Sequence, residues 1–128
     1  LLGYPVRALR TMIPAAETVV KMVEKIIDPP PLDEKDKKSR MDFHNNMTRF
    51  VLVKEQHAEL CKREVLILWT DFFKEEHHRK YPDIHEKVWM ITKLCSDNKR
   101  EVNIDKTNEL LAQVKKLGDI LEDCQKNK

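Results

Sequence analysis

The apolar residues of this chain fall on helical lines along most of its length. Ala16, Val19, Val23 and Ile26 step by three and four, with Val20 and Ile27 beside them. That spacing marks one face of an amphipathic helix. Pro14 suits a first helical position, so the helix is expected from Pro14 to Asp28. The stretch 1–13, which holds Pro5, is expected to be an N-terminal extension or a short helix. Pro29-Pro30-Pro31 cannot continue a helix and reads as a stiff connector over 29–32. As a polyproline ligand it lacks a PxxP frame.

Phe43, Met47, Phe50, His57, Cys61, Val65, Leu68 and Phe72 continue the helical period, with Val53 or Lys54 at the gap. The line predicts one long helix from Leu32 or Ser39 to about Arg79, roughly 40 residues and about 60 Å at 1.5 Å per residue. A kink is expected near Asn45-Asn46. Pro82 opens a third helix carrying Ile84, Val88, Ile91 and Cys95, and Ser96-Asp97-Asn98 is expected to end it. Asn103 or Asp105 can cap a fourth. There Thr107, Leu110, Val114, Leu117, Leu121 and Cys124 form a heptad seam, flanked by Leu111 and Ile120. The fold expected is all-α: an antiparallel bundle of three to four helices with one unusually long helix, a single domain over 1–128.

Composition agrees. Only Gly3 and Gly118 are glycines, and five of the six prolines lie at or before Pro31. A sheet protein needs more turn chemistry than that. No apolar run approaches the roughly 18 residues of a spanning helix, and no membrane role is expected. The net charge is +2, from 24 basic and 22 acidic residues. Bases interleave with acids on every helix, which makes nucleic acid an unlikely partner. Cys61, Cys95 and Cys124 are odd in number and sit on apolar lines, so reduced thiols and an intracellular setting are expected. The chain opens without Met or a signal-like segment and is taken as a piece of a larger protein.

Candidate chemistry is sparse. His57 and Cys61 lie one helical turn apart, and a zinc site could recruit Cys95, Cys124 or His85. Nothing resembles a CxxC knuckle, so no metal or cofactor is expected. Glu75-Glu76-His77-His78-Arg79-Lys80 would complement the carbonyl end of the long helix. The charged run 33–40 reads as a solvated first turn more readily than as a docking patch. There is no phosphate-cradling glycine loop, and neither Ser39 nor Ser96 has a nucleophile's setting. No carboxylate stands apart as an acid or base.

What remains is an apolar excess around Val65–Phe73. Leu66, Trp69 and Phe73 make a second stripe beside the first. The sequence therefore reads as a non-catalytic interaction or scaffold domain, not an enzyme. Its partner would be a helix or peptide held by Trp69, Phe73, Trp89 and Met90, or a second copy zipped along the fourth helix. A secreted signalling bundle and a nucleic-acid-binding helical module are the alternatives.

Overall fold

A computed structural model describes residues 3–126; the ends of the expected 1–128 domain and of its 1–13 segment fall outside that range. Five α-helices occur in the order α1 (Tyr4–Ile27), α2 (Lys37–Ile67), α3 (Glu75–Lys80), α4 (Ile84–Arg100) and α5 (Ile104–Lys126), with a π-helical turn, Leu68–Phe72, following α2. No strand occurs among the described residues. None of their helices is long and apolar enough to cross a membrane.

α1 begins ten residues earlier than its prolines suggested. Pro5 sits at its first positions, where a missing N–H costs nothing, and Pro14 lies inside it. An interior proline costs about 3 kcal/mol. The helix continues because Ala8 and Met12, before the proline, are buried with Ala15, Ala16, Val19 and Val23 after it. Pro14 itself faces solvent, so the carbonyl it leaves unpaired can turn to water.

The expected long helix is shorter and breaks elsewhere. α2 runs unbroken through Asn45-Asn46 and gives way at Ile67 to the π turn, whose Phe73 N–H bonds the Leu68 carbonyl at 3.0 Å. The widened turn lets two consecutive aromatics, Phe72 and Phe73, both pack against the core clusters. In a regular helix they would lie about 100° apart. Phe73 and Lys74 then adopt extended backbone, which ends the element.

α1 packs on α2 and α5, and α4 packs on the same two helices. The main cluster joins Met12, Val19 and Val23 of α1 to Ala58, Cys61 and Val65 of α2, Val88, Ile91 and Cys95 of α4, and Leu110, Val114, Leu117 and Leu121 of α5. Every position named on the α5 seam is buried within the chain itself. Those seam residues are spent inside the chain and are not free to zip with a second copy, which leaves self-association through another surface compatible with the fold. Gly118 marks a close approach: a Cβ there would meet Leu9 Cδ2 at 3.0 Å and Ile13 Cδ1 at 3.1 Å.

Buried polar groups are all satisfied among the described residues. Asn98, expected to end its helix, instead lies buried inside α4. Its Nδ2 donates to the Leu94 carbonyl at 2.8 Å, and its Oδ1 accepts from the Thr107 hydroxyl at 2.5 Å. Those bonds hold the α4–α5 corner, and Asn103 Oδ1 caps α5 by accepting from the Lys106 N–H at 3.2 Å. Lys54, at the gap in the apolar line, is 2% exposed. Its Nζ donates to the Glu101 carbonyl at 2.9 Å, closing the end of α4.

Candidate functional site

The π turn, α3 and the ends of α4 and α5 gather aromatic and titratable side chains at one end of the molecule. An open cleft of about 580 Å³ there is lined by Asp71, Phe72, Lys74, Glu76, His77, Lys80 and Cys124. Beside it Tyr81 donates its hydroxyl to Asp123, which also pairs with Lys80 at 2.7 Å. The hydrogen bond to that carboxylate, then burial, pushes the Tyr81 phenol up to about 12. Burial, and behind it the Asp123 charge, pushes the Cys124 thiol up as well.

The histidines have structural duties. His77 stacks on Phe72 at 5.1 Å, and its Nδ1 accepts the Lys74 N–H at 2.9 Å. It therefore caps the start of α3, in place of the expected role at the end of a long helix. His85 Nδ1 accepts from Trp69 Nε1 at 2.6 Å, and the His78 ring lies 4.5 Å from His85. In the His77 and His85 rings Nδ1 is taken up by these hydrogen bonds. His57 turns its Nδ1 to the Val53 carbonyl at 2.8 Å. Cys61 meets Cys95 in the main core, whereas Cys124 belongs to the separate cluster with Ile84 and Ile120. The His57–Cys61–Cys95–Cys124 combination considered from spacing is not assembled. Among the described residues no three His, Cys, Asp or Glu side chains converge as a metal site.

The four expected anchors divide. Trp89 is 61% exposed, with Lys93 Nζ 5.6 Å over its ring, and Trp69 is 39% exposed against His85. Met90 is half-buried, and Phe73 is half-buried against both core clusters. Phe73 thus serves the interior. The contacts of Asp123 with Tyr81 and Lys80 beside the cleft escaped sequence reasoning because they join segments far apart in the chain. Periodicity carries no signal for such contacts.

The sequence pattern of the family described as nickel-containing superoxide dismutase matches residues 8–124. The Superoxide dismutase [Ni] of Streptomyces coelicolor is 35% identical over 85 residues, which cover 64% of this chain and 65% of that relative. The Superoxide dismutase [Ni] of Streptomyces seoulensis is 34% identical over 79 residues, covering 59% of this chain and 60% of the relative. Those matches span less than two thirds of either curated relative. The native nickel superoxide dismutase structure superposes with a TM-score of 0.75 at 28% identity, over 91% of this chain and 90% of that one. An apo structure of nickel superoxide dismutase gives 0.76 at 28% identity, over 91% and 95%.

These matches overturn the reading of a non-catalytic scaffold, and with it the exclusion of an enzyme and the helix or peptide partner. The sequence reading failed because it sought catalytic groups inside the helices, where the donors are spent on packing and caps. The match across residues 8–124 shows that this chain belongs to the nickel-containing superoxide dismutase family.

Proposed function

We propose that this chain forms the helical body of a nickel superoxide dismutase, an oxidoreductase that converts superoxide to dioxygen and hydrogen peroxide. The observation that carries the proposal is the family match over residues 8–124. The likeness to the native enzyme over nine tenths of both chains supports it. The four long helices are read as one antiparallel bundle and one domain, an arrangement that the short α4–α5 connection and the shared core support.

The family implies nickel, and the described residues do not fit it. Cys61 and Cys95 lie in the main core and Cys124 in another cluster, while Nδ1 of His77 caps α3 and Nδ1 of His85 accepts from the Trp69 indole. No step of the reaction is therefore derived through the metal. Residues 3–126 supply the helical body.

The test compares superoxide consumption by the complete natural polypeptide with and without one equivalent of nickel. Nickel-dependent turnover is expected. Consumption no faster than that of free nickel in buffer overturns the proposal.

A further inference from the structure

Cys61 on α2 and Cys95 on α4 are each 0% exposed and lie in the same core cluster. Both are free thiols, and each is the chain neighbour of one partner in the Lys62–Ser96 contact between the two helices. The same stretches of α2 and α4 are tied on the outside by Lys99 on Glu59 at 2.6 Å and Lys62 on Ser96 at 3.1 Å. Those contacts hold the two helices in fixed register around the thiol pair. A disulfide needs its two sulfurs on facing elements and close enough to join with little backbone movement. Cys124 has no second cysteine in its cluster.

We propose that Cys61 and Cys95 are a modification site: hydrogen peroxide converts them to a disulfide that fastens α2 to α4. One thiolate attacks a peroxide oxygen, the O–O bond breaks, and the departing hydroxide takes a proton to become water. The attacking sulfur, now bonded to that oxygen, is left as a sulfenic acid. The second thiol attacks that sulfur, the S–O bond breaks, a second water leaves and the S–S bond forms. Two thiols lose two electrons, and one hydrogen peroxide is reduced to two waters. Peroxide is also the product of the reaction proposed above, and only its source rests on that reading.

The hydrogen bond to Cys61, and then burial, holds Cys95 in its protonated form. Thiolate is the reactive species, so the folded pair reacts slowly and transient opening of α4 against α2 sets the rate. Once formed, the bond constrains the unfolded chain between the two positions and stabilises the fold.

The test treats the reduced, nickel-free chain with added hydrogen peroxide, then quenches with an alkylating agent under denaturing conditions. Before alkylation the intact mass should fall by about 2 Da for the two hydrogens lost; after it the chain should carry one alkyl group where the untreated chain carries three, and peptide mapping should link Cys61 to Cys95. The link should persist in Cys124→Ala, vanish in Cys61→Ala and in Cys95→Ala, and raise the denaturation midpoint of the wild-type chain. Sub-denaturing urea should speed its formation. Both thiols still alkylating after exposure that oxidises Cys124 overturns the proposal, as does a link that uses Cys124. The wild-type peptide map decides the matter even where an alanine variant fails to fold. Because peroxide is added and nickel is absent, failure here leaves the dismutase proposal standing, and failure of that proposal leaves this one standing.

Discussion

The α4–α5 pair and the turn from Leu68 to Tyr81 are built on different rules. In the first, Val88, Ile91 and Cys95 share a cluster with Leu110, Val114, Leu117 and Leu121, Ile84 sits with Ile120 and Cys124, and every one is buried. Their order follows from helical period alone. In the second, the period fails within five residues. A π turn, two extended residues and a six-residue helix are held by an indole, imidazole caps and a Tyr–Asp–Lys cluster. Stability should concentrate in the first region, and adaptable geometry in the second.

Core truncation should separate the two most strongly. Leu117→Ala removes a fully buried side chain from the centre of the seam and should cost about 2–5 kcal/mol in urea unfolding. A loss below about 1 kcal/mol would show that the seam collapses around the cavity, blurring the contrast. Next comes the buried side-chain hydrogen bond between the two helices. Thr107→Val strips the hydroxyl from Asn98 Oδ1 in a buried setting, at an expected cost of about 1–3 kcal/mol. Thermal unfolding of the variant checks it.

Titration sharpens the difference by sign. Tyr81 is raised from 10.0 to about 12 in the folded chain. The folded state thus keeps a proton that the unfolded state loses. The stability this contributes is whole below about pH 10 and is lost as pH rises through about 12. Ultraviolet titration of the phenolate should show that late midpoint, and Asp123→Asn should return it toward 10.0. Lys54 runs the other way. Burial lowers it from 10.5 against the opposing pull of Glu55 and Glu101, so the unfolded state binds more protons just below 10.5 and stability rises with pH there. Lys54→Met should abolish that rise.

The smallest effect is expected at the surface aromatics. Trp89→Ala, at 61% exposure, should change stability by no more than about 0.5 kcal/mol. A larger loss would mean that the indole and Lys93 brace α4.

Legibility in the sequence follows the same division. The α4 and α5 faces could be read because each buries one stripe against its neighbours. The early start of α1 could not, because proline's local penalty is outweighed only by contacts Ala8 and Met12 make with distant residues. The break after Ile67 was hidden for a related reason: the apolar line ran on through Phe72, and no glycine or proline marks the π turn. Trp69 and Trp89 are exposed, and exposure alone carries no statement of what the protein does. The family's chemistry was invisible because none of the thiol and imidazole spacings within residues 3–126 forms a metal site.

The central claim is that this helical body belongs to a catalyst of superoxide removal that depends on nickel. Its most direct test follows the decay of a superoxide pulse in the presence of the complete natural polypeptide, with nickel loaded and then stripped by chelator. First-order decay of superoxide is expected, with a rate constant that rises in proportion to bound nickel, and the slower second-order decay of buffer alone should return on stripping. Equal decay with and without bound nickel would contradict it.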